Sequence, residues 1–168
     1  PVHALLGGAV RDRVPADYWI GHQTPEDGKK SIERALSLGF KGVKIKCRIQ
    51  EPMYERLKAM RDVAGPEFKV TVDPNERFHT AEQTIELAAQ LESLGNVEVF
   101  EDPIPKSDLE GYIKIHEAIN LPVAMHLGDG AGIVRALKAG VSGVVDCVNL
   151  GGSLVGFMRN ASVAAAAG

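Results

Sequence analysis

Lysines, carboxylates and a histidine recur in this sequence at spacings that could do chemistry. Lys44 and Lys46 flank Ile45 in a short apolar run. In a β-strand, residues two apart share a face, so both ammoniums project to one side while Val43, Ile45 and Cys47 face the other. Two close cations disfavour each other's charged form, which predicts a depressed pKa and a lysine able to act as a base near neutrality. On an edge strand such a pair would be merely solvated; on a central strand it needs carboxylate partners. Asp73 and Glu101 end two later apolar runs, 28 residues apart, and can supply them. Together with a third ligand at the next strand end, they would make a divalent-cation site of hard oxygen donors. Asn75, two residues beyond Asp73, is expected on the same side, and Asp102 to face away or to orient its neighbours.

The elements that must hold these residues follow from the punctuation of the chain. Six short apolar runs end in loops: Ala16–Ile20, Gly42–Cys47, Lys69–Asp73, Val97–Glu101, Pro122–His126 and Gly143–Val148. Taking Gly21, Lys46, Asp73, Glu101, His126 and Val148 as strand ends, the steps are 25, 27, 28, 25 and 22 residues. Helical patterns lie between. Thr24-Pro25-Glu26-Asp27 reads as an N-cap, a first-turn proline and an acidic first turn, and that helix ends at Gly39. Thr80 caps a second helix that ends at Gly95, and Lys138-Ala139-Gly140 closes a third. Strands alternating with helices predict an α/β fold with a parallel sheet. The regular spacing and the polar residues at strand ends favour a (β/α)8 TIM barrel over a doubly wound sheet. A Rossmann sheet would need a Gly-rich turn after its first strand, which Gly21-His22-Gln23 does not supply.

A typical barrel has about 250 residues, whereas this chain has 168. The expectation is therefore a partial barrel of about six βα units, truncated at both ends, with Ala164–Gly168 closing the sixth helix. Its first and sixth strands would present unpaired edges. Residues 14–168 form the barrel portion; residues 1–13 precede it.

The ordered set Lys44-Ile45-Lys46, Val72-Asp73-Pro74-Asn75 and Phe100-Glu101-Asp102-Pro103 resembles the mandelate racemase/muconate lactonizing branch of the enolase superfamily. Leu5-Leu6-Gly7-Gly8 resembles the segment that leaves the N-terminal capping domain of those enzymes, which makes residues 1–13 an exit segment from such a domain. Asp146-Cys147-Val148-Asn149-Leu150-Gly151-Gly152 resembles their sixth-strand motif. The resemblance implies abstraction of the proton α to a carboxylate, giving an enediolate held on a divalent metal, usually magnesium. It implies Lys46 as base, Lys44 as its electrostatic tuner, and Asp73 and Glu101 as metal ligands. Asp146 would orient a histidine on a seventh strand, beyond Gly168. Gly151, where muconate-lactonizing members carry a lysine, argues against that subgroup. The family expects Asp or Glu as third ligand at the end of the fifth strand. Here strand-end registry offers His126, with Leu127 there if the register slips by one and Asp129 if the loop folds back. Imidazole suits manganese or another transition metal better than magnesium.

The implied activity is dehydration of a sugar acid or hydroxy acid, or racemisation, on a small carboxylate substrate. The chain without its capping domain is expected to be inactive, and the full-length protein is expected to be a homo-oligomer. Rival readings are a Schiff-base lyase with Lys46 as nucleophile and a degenerate barrel kept as a binding or assembly module. His22, after the first strand, is a candidate substrate contact. Arg77 and His79 are candidate carboxylate contacts, while His3 and His116 read as structural or solvated. Gly151-Gly152 reads as a tight turn. A net charge of −3 with interspersed signs excludes a nucleic-acid arm or a polybasic membrane segment. No apolar run approaches the roughly 20 residues of a bilayer span. The N-terminus does not read as a signal peptide, and two cysteines without CxxC spacing fit a reducing cytoplasm.

Overall fold

The computed structural model of the chain describes residues 2–128, 133–134, 147–150 and 153–167. It opens with a short helix, α1 (Val2–Leu5), and an exposed approach to β1 (Tyr18–Ile20). There follow α2 (Pro25–Ser37), β2 (Gly42–Lys46), α3 (Met53–Ala64), β3 (Lys69–Asp73), α4 (Ala81–Glu92), β4 (Val97–Glu101), α5 (Leu109–Ala118) and β5 (Val123–Gly128). These are five parallel strands alternating with helices, a partial TIM-barrel-like domain. A further strand, β6 (Cys147–Leu150), pairs in parallel with β5, and α6 (Leu154–Ala167) follows it. Strand order in the sheet is the order in the chain.

Local chemistry sets the helix limits. The Thr24 hydroxyl accepts the Asp27 N–H at 3.2 Å with Pro25 in the first turn, and Gly39 takes φ 85° just past the end of α2. Thr80 does the same for Gln83 N at the start of α4, and the Asp108 carboxylate caps α5 through Gly111 N. Between the helices and the outer face of the sheet lies the main core. Val43, Ile45, Val70, Val72 and Phe100 meet Ile32 and Ala35 of α2, Leu57 and Met60 of α3, and Leu87, Ala88 and Leu91 of α4. Burying each of the valine, leucine, isoleucine, methionine and phenylalanine side chains among these is worth about 1.5–3 kcal/mol. A second cluster joins Ile104, Tyr112, Ile115, Val123 and Met125.

The other face of the sheet carries Lys44 and Lys46, Thr71 and Asp73, and Glu101, because one-residue alternation sends these side chains opposite the core set. Trp19 stands in register with Lys44 on this face and is 61% exposed.

Several boundaries differ from the sequence reading. β5 runs on past His126 to Gly128, with a register shift against β6 between the two. β1 is confined to Tyr18–Ile20, and β2 stops at Lys46. Two helices outside that reading fill the remaining crossovers: α3, which has no side-chain cap, and α5, which Asp108 caps. Gly143–Asp146, the closing Lys138-Ala139-Gly140, and Gly168 lie outside the described residues. Among the described residues, no helix is long and apolar enough to cross a membrane.

Candidate active site

Three adjacent strands deliver the charged cluster. β2 and β3 pair so that Lys46 lies opposite Asp73, and Glu101 ends β4 beside them. Lys44 Nζ donates to Glu101 Oε2 at 2.6 Å and lies 2.9 Å from Asp73 Oδ2. Lys46 Nζ donates to the same Asp73 oxygen and, at 2.7 Å, to Asn75 Oδ1. The second Asp73 oxygen accepts the Asn75 N–H at 3.0 Å, which puts Asn75 on the Asp73 side despite its left-handed backbone at φ 47°. The carboxylates are buried, while the lysine side chains keep 24% and 21% of their surface exposed.

This arrangement corrects one sequence-based expectation. Burial alone would push the Lys44 ammonium down, but its bonds to Glu101 and Asp73 outweigh burial and hold it above the ordinary lysine value. Burial would likewise raise the Asp73 carboxyl, and the hydrogen bonds from Lys46 and Lys44 hold it below the ordinary range. The neighbouring carboxylates, which spacing on a single strand does not reveal, override the repulsion between the two lysines.

At the end of β5, His126 falls on the Glu101 face, since Glu101 is in register with Ala124 two residues earlier. Leu127 instead packs against the second core cluster, and Asp129 lies outside the described residues. Carboxylate and imidazole atoms of Glu101, Asp102 and His126 lie within 4.8 Å of one another. The oxygens of Asp102 have other work. One accepts His126 N at 2.8 Å, and the other accepts Lys106 Nζ at 2.9 Å, which in turn lies 2.6 Å from Glu76 Oε1. Asp102 thus orients the end of β5. The donor set suits a divalent cation: Asp73 and Glu101 already converge on one positive charge, the Lys44 ammonium, and His126 stands beside Glu101.

His22 is drawn to the same end of the sheet, with Nδ1 2.5 Å from Glu51 Oε1. Arg77 and His79 are exposed in the β3–α4 loop. Asp146, Gly151 and Gly152 lie outside the described residues. Sequence reasoning missed Arg56 and Glu51. Arg56 is fully buried, with Nη1 donating to Lys46 O at 2.9 Å and to Glu51 Oε2 at 3.1 Å, and Nη2 to Gly21 O at 2.7 Å. The signal was present: three residues after Met53 and four before Met60, Arg56 is a charge on the apolar face of α3.

A partial parallel barrel with lysines and carboxylates gathered at the carboxyl ends of its strands is the class of domain that fold and site define. The family model described as Enolase C-terminal domain-like matches residues 28–168. The chain belongs to the enolase superfamily, as a mandelate racemase/muconate lactonizing C-terminal domain. Arabinonate dehydratase of Saccharolobus solfataricus is 33% identical over 129 residues, which cover 74% of this chain and 34% of that enzyme. L-Ala-D/L-Glu epimerase of Bacillus subtilis is 27% identical over 125 residues, 73% of this chain and 34% of the relative. The fold is that of a dipeptide epimerase from Enterococcus faecalis, crystallised with Mg and the dipeptide L-Leu-L-Tyr. The TM-score is 0.86 at 24% identity, and the match covers all of this chain and 48% of that one. The chain spans about a third of the length of the curated relatives it matches.

Proposed function

We propose that the full-length protein abstracts the proton α to a carboxylate, as a sugar-acid or hydroxy-acid dehydratase or as a racemase of the mandelate racemase-like subgroup. The observation that carries this reading is the convergence of Lys44 and Lys46 on Asp73 and Glu101 at one end of the sheet. Asp73, Glu101 and His126 would hold a divalent cation, Mg2+ or, given the imidazole, Mn2+ or another transition metal. When bound, that cation stabilises the charge that develops on the substrate carboxylate. Lys46, in its neutral form, takes the α-proton at Nζ. Asn75, bonded to Lys46, keeps that nitrogen aimed and contacts substrate. Lys44 remains the fixed cation beside the developing enediolate, charge that is preorganised before reaction. His22 contacts substrate from the end of β1, and Asp146 orients a histidine on a following strand. A capping domain and the two closing βα units complete the enclosure in the whole protein.

The test is loss of the α-proton NMR signal when the full-length protein, loaded with Mg2+ or Mn2+, is incubated in D2O with arabinonate, galactonate and related acid sugars. Wild type is expected to exchange or dehydrate at least one of them. Lys46→Ala should lower the rate by about 100-fold or more, the scale of a lost general base. Turnover that survives both Lys46→Ala and EDTA would sink the reading. Trapping of a keto acid on Lys46 by borohydride would assign Schiff-base chemistry instead.

A further inference from the structure

Arg56 is the one arginine that the structure buries completely among the described residues, and burying a guanidinium is unfavourable unless its partners compensate for the lost water. It shares the buried face of α3 with the apolar Met53, Leu57 and Met60, so its charge is answered by what its guanidinium bonds. All three of its acceptors lie at the active end of the sheet: Gly21 O just past β1, Lys46 O at the end of β2, and the carboxylate of Glu51 in the following loop. Glu51 uses one oxygen for Arg56 and the other for His22 Nδ1, at 2.5 Å. A carboxylate accepting at Nδ1 places the proton of a neutral imidazole there and leaves Nε2 with its lone pair.

We propose that Arg56 is a positioning residue: through Glu51 it fixes His22 as the Nδ1–H tautomer, and through the Lys46 carbonyl it ties that imidazole to the strand end carrying the base. His22 Nε2 is then a hydrogen-bond acceptor, which selects substrates that offer a hydroxyl donor near the reacting carbon over acids that lack one. The catalytic half of this statement rests on Lys46 being the base; the tautomer does not.

Two measurements on the full-length protein separate them. The first is a long-range 1H–15N spectrum of the histidine rings near neutral pH. It should show His22 as a single Nδ1–H tautomer in wild type, and loss of that single tautomer in Arg56→Met and in Glu51→Gln. Glu51→Gln keeps an oxygen acceptor for Arg56 and carries the test should Arg56→Met not fold. The second is turnover of arabinonate or galactonate. Arg56→Lys, which cannot span all three acceptors, should lower kcat by about 10- to 100-fold, the scale of an ångström-sized misplacement. Its KM should stay near wild type and its Tm within a few degrees. A mixed His22 tautomer in wild type overturns the proposal, as does an unchanged kcat in Arg56→Lys. A fixed tautomer in a wild-type protein that exchanges no α-proton upholds the Arg56–Glu51–His22 link and overturns the enediolate reading instead.

Discussion

One oxygen of Asp73 is shared by two ammoniums, so this carboxylate is both a candidate ligand and the counter-charge that lets two lysines stand side by side. Removing it should hurt the metal-free protein as well as the loaded one. Asp73→Asn is expected to destabilise the chain at neutral pH by about 1–3 kcal/mol, below the range for fully buried pairs because the lysines are partly solvated. Because the Asp73 pKa is lowered by folding, its stabilisation is complete above the ordinary carboxylate range and is lost as pH falls through the depressed value. Urea unfolding in EDTA should therefore show the gap between wild type and Asp73→Asn closing in acid; a gap that stays constant would exclude Asp73 as the titrating group. His126 allows a second check. If its imidazole is the third ligand, His126→Ala should weaken Mn2+ binding by about tenfold or more and Mg2+ binding less, a contrast that follows from ligand softness and that calorimetry reads directly. Equal losses for the two ions would point to an indirect effect.

Elements respond to substitution according to what surrounds them, and two helical glycines show it. A Cβ on Gly28 in α2 would press on the flexible end of Met60, at 3.0 Å, and meet Met60 Cγ and Arg56 Cγ at ordinary contact distances of 3.6 and 4.0 Å, so Gly28→Ala should stabilise by up to about 1 kcal/mol through helix propensity. At Gly111 in α5 a Cβ would strike the capping carboxylate of Asp108 and lie 2.6 Å from Ile104 Cδ1. Gly111→Ala should cost about 1–3 kcal/mol, combining a lost cap with overpacking. Denaturant midpoints of the pair decide the matter, and the same sign for both would refute the packing argument. This contrast also marks what the sequence reveals. β3 and β4 are legible to the residue because alternating apolar runs end in an acid, and α2 and α4 because Thr24 and Thr80 announce their caps. α3 begins at Pro52 with no side-chain cap, which hides its start and, with it, Arg56. The Lys44–Glu101 bond joins residues 57 positions apart, and no local pattern encodes that distance. On the sequence, strand-end registry offers His126, with Leu127 there if the register slips by one; the register of β5 against β4 sends His126 to the polar face, and Leu127 packs against the second core cluster.

At the scale of the molecule, β1 and β6 are the two edges of the described sheet, and the lysine-bearing face leaves Trp19 largely uncovered. Unpaired strand edges are templates for association. The chain as given should self-associate with rising concentration in sedimentation, with emission from its single tryptophan shifting to the blue as Trp19 is covered. A concentration-independent monomer with unchanged emission would show that these edges are protected. The same strictly sequential sheet has a consequence for biosynthesis. A ribosome releases β2 with both lysines first, then Asp73 one unit later, then Glu101, and His126 last, and each strand finds its sheet neighbour already waiting. The site is therefore assembled in the order of translation, one partner per βα unit. Nascent chains stalled after successive units should gain protease resistance in steps, with the lysines unpartnered until Asp73 and its surrounding helix have cleared the exit tunnel.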